Sequence, residues 1–183
     1  MSTMLDILGS IIIGGMVILG MSQFILDRQA AVMESSDETT SQILNESTTS
    51  TLMSDLRKIA FNVDPPTSAI MQCTSTSLTA RGDIDNNGVV DTIRWRWAGL
   101  DSTTANPSDI LLFRRINSLT EQSFHSGIVS FRFVYTDQSG NVTTTPSMVR
   151  SISVSMATQG NLVRDSLPEA FSEFRISPRS LNK

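Results

Sequence analysis

The 183-residue chain has a single cysteine, Cys73, and a single histidine, His125. One cysteine excludes an intrachain disulfide and any thiolate metal cluster. Cys73 sits in a Ser/Thr-rich segment far in sequence from His125, so a catalytic thiol would lack its activating base, and a buried, idle thiol is expected. No Ser-His-Asp set, catalytic carboxylate pair or phosphate-binding glycine loop emerges, and the chain is read as a non-enzyme. Basic residues are scarce too: 14 Lys and Arg against 18 Asp and Glu leave a net charge of −4 and a pI of about 4.9. Phosphate binding relies on a basic surface, so nucleic acid is not an expected partner. Glycine and proline are missing from residues 21–62, and charge is missing from residues 7–26. The first absence removes the strongest helix breakers, and the second leaves a stretch that water does not favour.

That uncharged stretch, ILGSIIIGGMVILGMSQFIL, is about twenty residues long and would span the hydrocarbon core as a helix. A secretory signal peptide needs basic residues before a shorter apolar core and a small-x-small cleavage site after it. Only Asp6 is charged before the run, and Gln23-Phe24-Ile25-Leu26-Asp27-Arg28 makes a poor cleavage site, so a retained anchor is expected. Gly9, Gly14, Gly15 and Gly20 punctuate the span; they permit close approach of other helices, although their spacing is not GxxxG and glycine is common in spanning helices.

Beyond the span, Leu26, Ala30, Met33, Ile43, Leu44, Leu52, Leu56, Ile59, Ala60 and Val63 recur at helical spacings. The middle of this stretch, residues 34–54, is so rich in Ser and Thr that propensity alone would not hold a helix. Either something packs against it or it is a flexible linker. Asp64-Pro65-Pro66 then stops any helix. The expected organisation is a transmembrane and assembly helix over residues 1–26, an amphipathic extension over 27–63, and a β-rich globular head over 64–183.

In the head the period changes to two. Ile93, Trp95 and Trp97 alternate with Thr92, Arg94 and Arg96; Val129, Phe131, Phe133 and Tyr135 alternate with Ser130, Arg132 and Val134; Ile152, Val154 and Met156 alternate with serines. With residues 77–81 and 109–116 these make about five half-buried strands of an antiparallel sheet. The apolar face needs a cover, and the end of the long helix supplies it through Leu52, Leu56, Ile59 and Val63. The fold class is therefore α+β. Arg94, Arg96 and Arg132 take the opposite side, a cationic face that is either solvated or docks an acidic partner.

The sharpest chemical motif lies between two of these strands. Asp83, Asp85 and Asn87 alternate, Gly88 permits a sharp turn, Val89 can offer its carbonyl, and Asp91 adds another oxygen, as a calcium ion requires. The spacing matches the first nine positions of a calcium loop, but the twelfth is Arg94 where a bidentate glutamate would stand. A strand-flanked calcium turn and a metal-free Asn-Gly hairpin both fit.

The order of parts resembles the type IV pilin superfamily, most of all its J-type minor pseudopilins and related minor pilins. The resemblance is carried by the spanning helix that runs on to Asp55-Leu56-Arg57-Lys58-Ile59. It is carried also by Gly82-Asp83-Ile84-Asp85-Asn86-Asn87-Gly88-Val89-Val90-Asp91-Thr92-Ile93 with Leu111-Leu112-Phe113-Arg114-Arg115. The tail Phe171-Ser172-Glu173-Phe174-Arg175-Ile176, with Arg179-Ser180-Leu181-Asn182, looks like the short terminal strand of that group. The resemblance implies a long helix packed on a small antiparallel sheet, and a structural subunit of an extracytoplasmic filament or secretion machine. Its partners would be copies of itself or related subunits, together with the membrane. Members of the family carry a glutamate at the fifth position of the processed chain, where this one has Leu5, and no basic leader ending in glycine stands before Met1. By analogy Asp6, with Gly14 and Gly15, would serve assembly, Asp6 by neutralising a neighbour's N-terminal amine; an interfacial, hydrated Asp6 is the alternative.

Arg28, Arg57 and Lys58 all follow the span, so charge asymmetry by itself places the head in the cytoplasm. The resemblance places it outside, in an inner membrane or a surface filament, and that orientation is adopted here. The competing assignments are a bitopic accessory or ligand-binding subunit of a larger membrane complex, and a secreted calcium-dependent binder freed of its anchor.

Overall fold

The computed structural model describes residues 2–104, 106–124, 127–159 and 170–182, with the side chains of residues 2, 5, 6, 34, 37, 38, 40, 41, 44 and 182 outside the description. His125 and the side chain of Asp6 therefore lie outside the described residues. Helix α1 covers Ser2–Arg57, and the chain divides into two compact units, Met1–Asp37 and Glu38–Lys183.

The first unit is helical. Its segment Ile7–Met33 is long and apolar enough to cross a membrane. Ile7, Ile11, Ile18, Leu19, Phe24 and Leu26 are each more than half exposed, and a contiguous apolar surface of this size marks contact with lipid or with other proteins. Nothing lies within 4 Å of where a Cβ at Gly9, Gly14, Gly15 or Gly20 would stand.

In the second unit the eight strands are β1 (Ile70–Thr74), β2 (Ser77–Gly82), β3 (Asp91–Leu100), β4 (Ile110–Ile116), β5 (Gln122–Phe124), β6 (Ile128–Thr136), β7 (Ser151–Thr158) and β8 (Ala170–Ile176). They form two antiparallel sheets, β1-β2-β3-β4-β5 and β6-β7-β8, where one sheet of about five strands was expected. The strands that alternate cleanly in sequence are those that were legible; β8 was visible only through the family resemblance. β1 was missed because a register shift between Ile70 and Gln72 breaks its period, and β5 because it has only three residues.

One apolar core joins both sheets to the last turns of α1, with Leu52, Leu56 and Ile59 against Leu78, Ile93, Trp95, Leu112, Phe133, Ile152, Val154 and Met156. The covering role expected of Leu52, Leu56, Ile59 and Val63 thus holds, all four being buried. Ile43 does not join that stripe and is 61% exposed; the stripe is instead continued by polar residues, Asn45 and Thr48. Asn45 donates from Nδ2 to Thr158 Oγ1 (3.4 Å) and accepts from Ser172 Oγ (2.7 Å), which ties the Ser/Thr-rich helix to β7 and β8. The flexible-linker alternative fails there: tertiary hydrogen bonds stabilise what intrinsic propensity does not.

A second tie is charged. Asp55, only 3% exposed, accepts from Arg114 Nε (2.7 Å) and Nη2 (2.9 Å) and from the indole Nε1 of Trp95 (2.9 Å). Trp95 and Arg114 face each other across β3 and β4, so the first sheet presents a donor pair to one carboxylate on the helix. The hydrogen bonds that Arg114 donates to Asp55 hold its guanidinium further into its charged range, against the opposing effect of burial.

The α-helix ends at Arg57, not at Val63, and the proline pair is not what stops it. Ala60 N donates to Arg81 O (2.9 Å) and Asp83 N to Phe61 O (3.1 Å), so the backbone turns aside to bond the end of β2. Ala60 and Asn62 take positive φ of 65° and 58° to do so. Cys73 is buried, as expected of an idle thiol, with Sγ donating to Thr144 O (3.2 Å) and its pKa pushed up by burial.

Replacing Asp55 with Ala leaves a half-buried guanidinium and a buried indole N–H without their acceptor and is expected to cost about 2–4 kcal/mol. Denaturant melts of the full chain in detergent, followed by Trp fluorescence, check this; a loss below about 1 kcal/mol would show that the pair contributes little.

Candidate metal centre

Residues 83–90 connect β2 to β3, and the entry to this loop is set by close packing. At Gly82 a Cβ would stand 2.1 Å from the carbonyl oxygen of Lys58, so only glycine lets the strand approach the helix end. Lys58 reaches over the loop and donates from Nζ to Ile84 O. Asn86 and Gly88 adopt positive φ, 61° and 88°, which folds the eight residues back on themselves.

The turn brings three carboxylates together. One oxygen each from Asp83, Asp85 and Asp91 lie within 4.8 Å of one another, a group that could hold a metal ion. Asp83 is 1% exposed and Asp91 is also buried, while Asp85 faces solvent. Neutral donors surround them. Asp83 accepts from Asn87 N (3.0 Å), Gly88 N (2.9 Å) and Asn62 Nδ2 (2.9 Å). Asp85 accepts from Asn87 N (3.1 Å) and Asn87 Nδ2 (2.8 Å). Asp91 accepts from Ile84 N (3.2 Å) and Asn117 Nδ2 (2.6 Å). Among the described residues no lysine or arginine forms an ion pair with any of the three. Three carboxylates supported by amides alone keep lone pairs free and accumulate negative charge, the condition under which an oxygen-seeking cation binds.

Of the five sequence-derived ligands, the structure thus gathers Asp83, Asp85 and Asp91. Asn87 has a different use, since its Oδ1 accepts from Val89 N (2.7 Å) and its Nδ2 supports Asp85. Val89 exposes its side chain at the tip of the loop. Arg94, at the twelfth position, lies exposed on β3, so the strand takes over where a helical calcium loop would supply a bidentate ligand. Sequence reasoning missed the two asparagines that brace the site from outside, Asn62 and Asn117. Asn117 reaches both edges of β3's start, donating to Asp91 and accepting from Thr92 N (2.8 Å). The only signal for either was an asparagine in a turn, where positive φ favours it.

The three arginines expected on one cationic face fall on two sheets, Arg94 and Arg96 on β3 and Arg132 on β6. Arg96 pairs with Glu121 (2.6 Å) and lies 4.4 Å from the centre of the Phe113 ring, while Arg94 and Arg132 are exposed. The hydrogen bond from Arg96, with the charges of Arg96, Arg115 and Arg94, holds the Glu121 carboxyl below the usual range.

No protein-family model matches the chain, and no curated protein matches it.

Asp83→Ala removes the acceptor for three donors and is expected to destabilise the head by about 2–3 kcal/mol, whereas Asp85→Ala, exposed and bonded only within the loop, should cost less than about 1 kcal/mol. Thermal melts of the two variants side by side check the ordering; equal losses would mean that Asp83 does not organise the loop.

Proposed function

We propose that this chain is a pilin-like or pseudopilin-like structural subunit of an extracytoplasmic filament or secretion machine, anchored and assembled through its apolar N-terminal helix. The observation that carries the reading is the pairing of two surfaces on helix α1. Ile7–Met33 exposes apolar side chains along its length, and the turns before Arg57 are buried against two antiparallel sheets. Apolar helix surface that leaves lipid needs other helices to cover it, and copies of this chain or related subunits offer the matching surface. The glycines of the span support this, because no atom of the chain itself requires their lack of a Cβ. Asp6 at the start of the span would neutralise a neighbour's amine during assembly, and Gly14 and Gly15 would permit close helix contact. The head would lie on the extracytoplasmic side of an inner membrane or on a surface filament. The reading assigns the protein to assembly and presentation and gives it no catalytic role.

Calcium is the ion we assign to the β2–β3 loop, because the ligands it gathers are carboxylate oxygens, which suit a hard divalent cation. The ion would stiffen the sheet edge rather than take part in chemistry.

Electron microscopy of sheared cell-surface material and native membranes, with mass spectrometry of the N-terminus, tests the reading. Helical filaments containing this chain are expected, and they should be lost in Asp6→Ala. Recovery only from membranes, in fixed ratio with unrelated subunits, would replace the filament subunit with an anchored accessory subunit. For the ion, millimolar calcium should raise the melting temperature of the full chain by several degrees, and Asp85→Ala should reduce that rise. A rise undiminished in Asp85→Ala would remove calcium from this loop.

A further inference from the structure

Four arginines share the outer face of the five-stranded sheet. Along β2, β3 and β4 the buried residues Leu78, Ala80, Ile93, Trp95 and Leu112 take the inner face, in the core that the last turns of α1 complete. The alternate positions Arg81, Arg94, Arg96 and Arg115 therefore lie on the side away from that core, and Arg81, Arg94 and Arg115 are exposed. Arg94 and Arg115 stand directly opposite each other, and Arg81, which pairs with Thr92, is one diagonal step from Arg94.

Glu121 is the acid placed among them. Its pairing with Arg96 (2.6 Å) holds its carboxyl below the usual range, and the charges of Arg115 and Arg94 add to the effect. Among the described residues neither of those two arginines nor Arg81 forms an ion pair of its own. Arg115 donates from Nε to the carbonyl of Asn117 (2.9 Å), which adds no negative charge. Like charges directly opposite on two strands are destabilising, and here a chain of net charge −4 gathers four cations around one carboxylate.

The opposite excess lies on α1. Between Arg28 and Arg57 the helix carries no lysine or arginine, and Glu34, Asp37, Glu38 and Glu46 stand there in addition to the Asp55 that pairs with Arg114. Positions 34, 37 and 38 are three and four residues apart and share one side of the helix, a spacing at which like charges repel. They cover about 6 Å of helix rise, and the arginine stripe crosses three strands, about 10 Å. Each cluster repels itself in the single chain, and each supplies the charge that the other lacks.

We propose that the outer face of the five-stranded sheet, through Arg81, Arg94 and Arg115, docks the acidic stretch 34–46 of α1 from a second copy of the chain. Guanidinium groups arrayed on a flat sheet suit carboxylates on one side of a helix, because each offers paired N–H donors. Charge then sets which surfaces of two copies meet and in what register, and the apolar spans supply the burial. The contact rests on the reading of the chain as an assembling subunit.

Photo-cross-linking of the full chain in native membranes tests it, with Thr79, opposite Arg94 on the same face, replaced by photoreactive benzoylphenylalanine. A cross-linked dimer is expected, mapped by mass spectrometry to residues 29–56 of the second copy. Arg94→Glu with Arg115→Glu should reduce it several-fold, and adding Glu34→Lys, Asp37→Lys and Glu38→Lys to the same chain should restore it, which a merely solvated face would not do. No cross-link, one that maps elsewhere on the copy, to another protein or to lipid, or a dimer indifferent to the arginines would each overturn the docking. Filaments that form without the cross-link overturn this contact alone; the cross-link in membranes that yield no filament establishes the contact and overturns the filament reading.

Discussion

The fold of the head depends on one carboxylate. Asp55 receives two hydrogen bonds from Arg114 and one from Trp95, and those residues face each other on two adjacent inner strands of the five-stranded sheet, β3 and β4. A buried ion pair adds little net stability compared with a well-packed apolar pair, but it specifies geometry sharply. Here it fixes which face of the helix meets the sheet, because Leu52, one turn before Asp55, and Leu56, beside it, are buried with it. Asn45 does the same for the three-stranded sheet through Thr158 and Ser172. Two polar ties, ten residues apart on one helix, thereby set two sheets around a shared apolar core.

The sheets themselves are joined by hydrogen bonds that end on backbone carbonyls of the β1–β2 turn. Phe133 N donates to Ser75 O (2.9 Å), and Tyr135 gives its phenol proton to Ser77 O (2.9 Å). Burial pushes the Tyr135 pKa well up, so the phenol stays a donor throughout the ordinary pH range. The β1–β2 turn is in this way bonded to β6, and the smaller sheet closes the side of the core that the helix leaves open.

Much of this was legible in the sequence where one periodicity dominates. The alternation Ile93, Trp95 and the serine-spaced Ile152, Val154, Met156 gave strands in the right places, and the aspartate spacing of residues 83–91 located a carboxylate cluster. The helix stripe was harder, because half its buried positions are polar: Asn45, Thr48 and Asp55 read as surface until their partners, distant in sequence, are known. The helix end was misplaced for a related reason. Pro65 and Pro66 were sufficient to stop a helix, but the hydrogen bond from Ala60 N to Arg81 O stops it sooner, and no local signal announces a bond to a strand twenty-one residues on.

The contact of Gly82 with the Lys58 carbonyl ties the exit of the helix to the first residue of the acidic turn. Ala60 N bonds Arg81 O, and Asn62, two residues further on, bonds the side chain of Asp83, so helix end and turn share one short run of backbone. Coupling between two such places is reciprocal: whatever tightens the turn resists displacement of the helix end. The acidic turn and the exit of the helix therefore hold or loosen together, at an inner strand of the five-stranded sheet.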